Sequence, residues 1–192
     1  MRIFIGIELE DSLQAACGAA ARELQERLRA ARVNLQVRWI PEHNLHITLW
    51  FLGDVNDERA AAVAEQLRVR WPVPPFKLTV AGAGAFPASG PPRIVWLGVT
   101  GGARRMVELY QELALRLPAL GFEAERRPYS PHITIGRVKE AGRSAARVRS
   151  ILGGAEVRPG SCRISAVTLF QSRLSPAGAR YEPLLRVPLE EC

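Results

Sequence analysis

The 192-residue chain is poor in several residue types, and each shortage excludes a class of protein. Its three cysteines, Cys17, Cys162 and Cys192, are too few and too widely spaced for a disulfide framework or for Cys-x-x-Cys metal ligation. No hydrophobic run approaches the roughly 20 apolar residues of a transmembrane helix. The opening segment MRIFIGIELE reaches Glu8 without the cleavage site of a signal peptide. We therefore expect a cytoplasmic protein with reduced thiols, no membrane span and no metal site.

Lysine is almost absent from the chain. Lys77 and Lys139 are the only two, so arginine supplies the other 24 of the 26 basic residues. The net charge is +7, and the sequence pI is about 10.1. Arginine presents a planar fork of donors that matches phosphate oxygens, and a basic surface favours a polyanionic partner such as nucleic acid. A GC-rich genome would give the same excess of arginine, so the charge alone does not identify a partner.

An order of strands and helices recurs in the two halves of the chain, roughly 1–85 and 90–192. Each half begins with a strand-like segment, at 3–9 and at 94–99, and continues through a helix, a second strand, another helix and a third strand. This repetition predicts one domain of the α+β class, built from two related lobes.

The glycine-rich segment 82–92, GAGAFPASGPP, is predicted to be a turn-rich connection, either a hinge between the lobes or a surface loop. Gly82 and Gly84 are expected to be turn residues, because the dinucleotide-binding pattern is incomplete and no helix follows it. A phosphate-binding P-loop is missing as well, so the chain is expected to need no cofactor. A short strand is predicted around 122–126.

One phrase occurs twice in this small chain: LHITLWF at 45–51 and PHITIGR at 131–137. Of the three histidines, His46 and His132 are each followed two positions later by a threonine, Thr48 and Thr134. Because the chain has five threonines in 192 positions, chance puts a threonine there for about one histidine in 40. Coincidence is therefore a poor explanation, although a duplication would also copy a histidine with a purely structural role.

Strand alternation predicts that each histidine shares one face with its threonine while the aliphatic residues pack on the other face. By the same alternation, Phe51 is expected to face the core and Trp50 the polar side, where an aromatic ring could stack on a base. Arg137 is expected to point away from His132, unless a bulge or the strand end turns it toward a phosphate. The remaining histidine, His43, is expected in a surface turn.

Two such strands, brought face to face, would line a cleft with two imidazoles and two hydroxyls. An imidazole has an ordinary pKa of about 6.5, so near pH 7 it can act as a neutral general base or as a protonated general acid. Threonine hydroxyls can donate hydrogen bonds to the non-bridging oxygens of a phosphate. The pattern predicts metal-independent attack of water on a phosphodiester, with one histidine removing a proton from water and the other protonating the leaving oxygen.

These residues and their surroundings resemble the 2H phosphoesterase superfamily, and within it the bacterial and archaeal RNA 2′,3′-cyclic phosphodiesterases, also called 2′–5′ RNA ligases. Similar segments follow in the expected order over nearly the whole chain: RIFIGIEL, WIPEHNLHITLWFLGDV, GAFPASGPPRIVWLGV, GFEAERRPYSPHITIGRVK and VTLFQSRLSPAGARYEPL. One departure is visible. The family commonly has Pro-Glu-Asn-Leu-His before the first threonine, where this chain has Glu42-His43-Asn44-Leu45-His46, which concerns the turn rather than the catalytic pair.

The resemblance implies two pseudo-symmetric lobes, each an antiparallel sheet backed by helices, around a central cleft. It implies hydrolysis of 2′,3′-cyclic phosphate ends of RNA to 2′-phosphates without a metal. In that reaction His46 would protonate the departing 3′ oxygen, and His132 would activate water. Thr48 and Thr134 would bind phosphate oxygens, and Arg137 would contact the phosphate because the family's second motif often reads H-x-T-x-x-R.

Two other functions remain open. The same acid–base pair, working in reverse, would join RNA ends through a 2′–5′ bond. A non-catalytic RNA- or nucleotide-binding module would keep the cleft without turnover, but it would not need two proton-transfer groups. Oligomers, tRNA fragments and small cyclic nucleotides all remain candidate substrates, and a monomer is expected.

Overall fold

The computed structural model describes residues 1–33, 35–140, 145–175 and 178–191. The helices are α1 (Asp11–Ala30), α2 (Asp57–Arg68), α3 (Ala103–Arg116) and α4 (Ala145–Gly153). The strands are β1 (Arg2–Glu8), β2 (Gln36–Trp39), β3 (His46–Asp54), β4 (Phe76–Phe86), β5 (Ile94–Gly101), β6 (His132–Glu140), β7 (Gly160–Ile164), β8 (Ala166–Ser175) and β9 (Gly178–Pro188).

These strands form one antiparallel sheet in the order β7-β4-β5-β6-β3-β1-β8-β9, and β2 pairs with β6. The sheet is narrowest at its centre, where β3 and β6 meet through a single register pair, Ile47 and Ile133. We call β1, β3, β8 and β9 the terminal lobe, and β2, β4, β5, β6 and β7 the central lobe. The predicted α+β class, with antiparallel sheets backed by helices, is confirmed.

The third strand of each predicted half pairs with the first strand of the other half. β4 comes from the first half but pairs with β5 and β7, and β8 comes from the second half but pairs with β1. The halves at 1–85 and 90–192 therefore follow the order of elements along the chain, whereas the two lobes of the sheet are assembled by exchange of β4 and β8.

The core lies between the helices and the aliphatic face of the sheet. Helix α3 buries an i, i+3, i+7 stripe of Met106, Leu109 and Leu113, each fully inaccessible, because these positions fall on one side of a helix. The opposite strand residues, Ile47 and Ile133, are also fully buried. One face of the sheet thus packs against the core, and the histidines lie on the other face.

Two local predictions are wrong. The segment predicted as a connection from residue 82 is strand over its first five residues, since β4 continues to Phe86, and lies outside the strands from 87 to 92. Gly82 has a left-handed φ of 76° at a bulge in that strand, but Gly84 is an ordinary strand residue covered by the Trp96 indole, which leaves no room for a Cβ. The strand predicted at 122–126 is irregular chain.

Cys17 and Cys162 are buried free thiols. Burial raises the pKa of both, that of Cys17 to about 12, so they stay protonated near neutral pH. Cys192 and residues 141–144, where the last predicted helix begins, lie outside the described residues. No helix in the described ranges has the length and apolar character to cross a membrane.

Candidate active site

The two His-x-Thr motifs meet at the centre of the sheet. Ile47 lies opposite Ile133 in an antiparallel register, so the flanking positions bring His46 toward Thr134 and Thr48 toward His132. All four side chains are half-buried and share the face opposite the core. The predicted constellation is therefore assembled by strand pairing, with each histidine next to the threonine of the other motif.

Each histidine is held by a backbone carbonyl two residues before it. The Nδ1–H of His46 donates to the Asn44 carbonyl at 2.8 Å, and the Nδ1–H of His132 donates to the Ser130 carbonyl at 2.7 Å. A carbonyl oxygen only accepts, so these bonds place the proton of each neutral ring on Nδ1. Nε2 is thus the nitrogen left for chemistry in both rings. In His46 it lies 3.0 Å from the Thr48 hydroxyl.

Aromatic rings fix the orientation of both imidazoles in matching ways. The ring of Tyr181 meets His46 edge-on at 4.9 Å and 82°, and Phe86 meets His132 at 5.0 Å and 83°. Phe4 packs at 4.8 Å on the His46 side. Such edge contacts favour a single ring orientation, so the two histidines are positioned before any ligand binds.

Both histidines are neutral near pH 7. Burial lowers the pKa of His46 to about 4, outweighing the opposing hydrogen bond to Asn44, and the charges of Arg137 and His132 lower it further. Burial and the Arg137 charge also hold the pKa of His132 below its ordinary value. Protonating one of the two near pH 7 therefore requires an anion in the cleft, because a negative charge nearby raises a histidine pKa.

A bulge redirects Arg137 into the site. Gly136 pairs with Val95 and Thr134 pairs with Trp96, so Ile135 is an extra residue in β6. An extra residue reverses the alternation beyond it, which turns Arg137 to the face of His132 and Thr134. Its charge acts on both histidines. A regular strand would have pointed Arg137 away from His132, and the bulge that the sequence analysis allowed for turns it toward the site.

The same bulge occurs at the matching position of β3. Ile5 pairs with Trp50 and Gly6 with Thr48, so Leu49 is the extra residue. The expected orientations of the next two residues are therefore reversed: Trp50 is buried, at 5% exposure, and Phe51 is 51% exposed. Phe51 stands in β3 where Arg137 stands in β6, five positions after the histidine.

A cavity of about 460 Å³ opens beside Thr48 and His132. Its walls combine apolar and polar side chains from β3, β4, β5 and the chain before β6, among them Phe51, Phe86, Ile94, Glu125 and Arg127. This size falls within the range of small-ligand sites, and apolar walls with a few polar groups are typical of them. The cavity can receive a group attached to a phosphate held between the histidines.

Tyr129 links the two motifs and was not anticipated from the sequence. Its hydroxyl donates to the Thr48 carbonyl at 3.0 Å, although Tyr129 itself lies three residues before His132. Its ring stacks on Tyr110 at 4.6 Å, which in turn stacks on Trp50 at 5.1 Å. The only indication in the sequence is an aromatic residue close to each motif, which does not reveal the hydrogen bond between Tyr129 and Thr48.

The third histidine is separate from the site. His43 is exposed in the turn Glu42–Asn44 that precedes β3, as predicted. Within the described residues, no three His, Cys, Asp or Glu side chains are grouped so that they could hold a metal ion.

Comparison with known proteins agrees with this geometry. A family model described as the 2'-5' RNA ligase superfamily matches residues 15–175. The RNA 2',3'-cyclic phosphodiesterase of Aeropyrum pernix is 34% identical over 158 residues, covering 82% of this chain and 89% of the relative. That of Thermotoga maritima is 32% identical over 192 residues, covering 99% and 96%. The crystal structure of E. coli LigT complexed with 3'-AMP superposes with a TM-score of 0.72 at 28% identity, covering 99% of this chain and 98% of that one.

The antiparallel α+β fold of this chain is thus shared with solved structures such as that of E. coli LigT. The chain belongs to the 2'-5' RNA ligase superfamily, which confirms the resemblance drawn from the sequence.

Proposed function

We propose that this protein hydrolyses 2′,3′-cyclic phosphate ends of RNA to 2′-phosphates, with His132 as general base and His46 as general acid. The observation that carries the proposal is the meeting of the two motifs on one face of the sheet, with Nε2 of each ring left for proton transfer. The names of the curated relatives support the substrate, and the bound 3'-AMP of the E. coli structure supports a nucleotide in the cleft.

The proton transfers follow from the tautomers. Neutral His132 carries its proton on Nδ1, so the Nε2 lone pair accepts a proton from the attacking water. The water oxygen forms a bond to phosphorus as the bond from phosphorus to the 3′ oxygen breaks. That oxygen takes the proton from Nε2 of protonated His46, which leaves a 2′-phosphate and a free 3′-hydroxyl.

The bound phosphate prepares His46 for its role. Burial lowers the pKa of this histidine to about 4, and the negative charge of a bound cyclic phosphate raises that pKa toward the neutral range. The Thr48 hydroxyl, 3.0 Å from Nε2 of His46, then turns to a phosphate oxygen, as does that of Thr134. Arg137 neutralises the charge that grows on these oxygens in the transition state.

The terminal nucleoside fits the cavity next to His132. Phe51 exposes a flat apolar ring there, and such a ring can stack on any base without selecting one. We therefore place the ribose near the histidines and the base against Phe51.

The deciding experiment uses an RNA oligomer that ends in a 2′,3′-cyclic phosphate, incubated with pure protein in excess EDTA. We expect a 2′-phosphate as the only new end, identified by its resistance to a 3′-specific phosphatase and by phosphorus NMR. Formation of a 3′-phosphate would reverse the assigned leaving group, and loss of activity with EDTA would remove the metal-independent mechanism.

The joining reaction is tested in the same tube. Adding a second RNA with a free 5′-hydroxyl provides the acceptor for a 2′–5′ bond. Hydrolysis is expected to dominate because water is present at far higher concentration than the acceptor. A joined product as the major species would make end-joining the relevant activity.

We also propose that the protein works as a monomer in the cytoplasm. Both histidines and both threonines of the cleft come from one chain, and Cys17 and Cys162 remain as thiols. Light scattering coupled to size exclusion is expected to give the mass of a single 21.2 kDa chain.

A further inference from the structure

A second arginine lies beside Arg137 on the face of the cleft. Across three adjacent strands the register reads Ile94 of β5, Arg137 of β6 and Arg38 of β2, each directly opposite the next. Residues directly opposite one another in a sheet project to the same face. Ile94 lines the cleft cavity, so Arg137 and Arg38 project to the cleft as well.

Two like charges in this arrangement repel each other. Directly opposed cations on paired strands are destabilising, and within the described residues neither guanidinium has a carboxylate within 4.0 Å. Elsewhere the same chain pairs its arginines with acids, as in Arg27 with Glu23 at 2.6 Å. An anion bound at the cleft would relieve the repulsion, which indicates that both charges serve a ligand.

Arg38 is placed for a different anion from the one that reacts. The charge of Arg137 lowers the pKa of both histidines. The Arg38 guanidinium instead reaches toward β9, where its Nη2 lies 2.9 Å from the position that a Cβ of Gly178 would occupy. Arg38 and Arg137 therefore project to one face of the sheet but point to different neighbours, the histidines for Arg137 and β9 for Arg38.

The surface continues to be basic past Arg38. A groove of about 660 Å³ runs along the free edge of β2 and is lined by Arg29, Arg38 and Lys139, with Trp39 in its wall and no carboxylate among the described lining residues. Cations beside an aromatic ring are typical of a path for single-stranded nucleic acid.

We propose that Arg38 binds the phosphodiester immediately 5′ of the reacting nucleotide, so that the site selects the ends of RNA chains over free cyclic mononucleotides. This inference rests on the proposed function. In the terminal nucleotide the base and the 5′ phosphate leave opposite ends of the ribose, and the cyclic phosphate on the 2′ and 3′ oxygens lies between them. The row from Ile94 through Arg137 to Arg38 matches this arrangement.

The test compares wild type, Arg38→Gln and Arg147→Gln. Arg147 is an exposed arginine on α4, so its variant carries the same loss of charge away from the cleft. Three substrates are used: a trinucleotide ending in a 2′,3′-cyclic phosphate, the same trinucleotide with a neutral methylphosphonate at the upstream linkage, and a 2′,3′-cyclic mononucleotide. We expect Arg38→Gln to lower kcat/KM about ten-fold on the charged trinucleotide only.

The salt dependence adds an independent readout. Loss of one phosphate contact to a single strand reduces the slope of log affinity against log salt by about 0.7, and this change is expected for Arg38→Gln but not for Arg147→Gln. Equal losses on trinucleotide and mononucleotide would place Arg38 at the reacting phosphate. An equal effect of Arg147→Gln would reduce the result to general attraction. Either outcome overturns the proposal.

If the protein does not turn over the cyclic substrate, the affinity for product ends tests the role of Arg38 instead. Wild type that binds a 2′-phosphate trinucleotide but does not hydrolyse the cyclic end would contradict the proposed function alone. The affinity ratio between trinucleotide and mononucleotide products, compared in wild type and Arg38→Gln, then still decides the role of Arg38. We expect the ratio to fall about ten-fold in the variant, and an unchanged ratio would refute the second phosphate site.

Discussion

At the scale of single residues, one backbone contact sets the chemistry of each histidine. The carbonyls of Asn44 and Ser130 hold the Nδ1 protons, so the direction of proton transfer at Nε2 is fixed before substrate arrives. A histidine without such a partner would divide its population between two tautomers. The repeated motif is therefore functional together with the residue two positions before it.

Replacing either histidine tests this role. We expect His46→Ala and His132→Ala each to lower kcat by about 10²- to 10⁴-fold, the usual contribution of a general acid or base, measured on a cyclic-phosphate oligomer. His43→Ala is the matched control, because His43 is exposed and outside the cleft, and its activity should equal that of wild type. A circular dichroism spectrum confirms folding. Retention of full activity by either cleft variant would contradict the mechanism.

The histidines and threonines could be predicted from the sequence, because a His-x-Thr motif that occurs twice is visible without knowledge of the fold. The orientations of Arg137 and Phe51 could not be predicted from strand alternation, and only the family's H-x-T-x-x-R pattern indicated a phosphate contact for Arg137. Their direction depends on the extra residues Ile135 and Leu49, and a bulge exists only relative to the partner strand. The alternation within one strand carries no information about that partner.

At the scale of elements, packing on β4 reaches the active site through aromatic side chains. The Trp96 indole of β5 covers Gly84, where an added Cβ would lie 2.3 Å from an indole carbon. Trp96 packs on Phe86 at 5.2 Å, and Phe86 meets the ring of His132. Gly84 therefore supports the general base through two neighbouring rings.

A methyl group at Gly84 should disturb this stack. We expect Gly84→Ala to lower the free energy of unfolding by about 1–3 kcal/mol, as overpacking does, and to reduce kcat because Phe86 shifts against His132. Urea unfolding and steady-state kinetics measure the two effects. Gly153→Ala is the control, since a Cβ there meets nothing within 4 Å. Equal stability of the two variants would show that Trp96 moves freely.

The elements themselves were largely predictable, but their partners were not. Hydrophobic period located β1, α1, β3 and the second motif, because local burial shapes local sequence. The pairing of β4 with β5 and of β8 with β1 is a choice between distant segments. The glycines from Gly82 onward resemble a loop in the sequence. In the structure, Gly84 leaves room for the Trp96 side chain of the neighbouring strand, and a strand with such glycines has a composition similar to that of a turn.

At the scale of the whole molecule, burial of His46 lowers stability in acid. The pKa of His46 is about 4 in the folded protein and about 6.5 when unfolded. Above the unfolded value both states are neutral and the group contributes nothing. As the pH falls below it, the unfolded chain binds the proton first, so the folded state loses stability until the pH reaches the folded pKa.

Stability measured against pH should show this contribution. Between about pH 7.5 and pH 5, the unfolding free energy of wild type is expected to fall by about 2 kcal/mol more than that of His46→Gln. Urea unfolding in buffers without phosphate measures both. Added inorganic phosphate should reduce the loss in wild type, because an anion in the cleft favours the protonated ring. Parallel curves for the two proteins would show that burial does not hold His46 neutral.

The exchange of β4 and β8 between the lobes has a consequence for any smaller version of this protein. Consider a shorter chain with only one motif and its three strands. Its first strand would lack the partner strand that the other half supplies, and its third strand would have no strand of the same chain to pair with. Two copies of such a chain could supply both missing partners by exchanging their third strands, which is the arrangement of a domain-swapped dimer. In such a dimer the two histidines would come from different molecules, and catalysis would depend on protein concentration. Joining the copies in one chain makes the cleft independent of dilution.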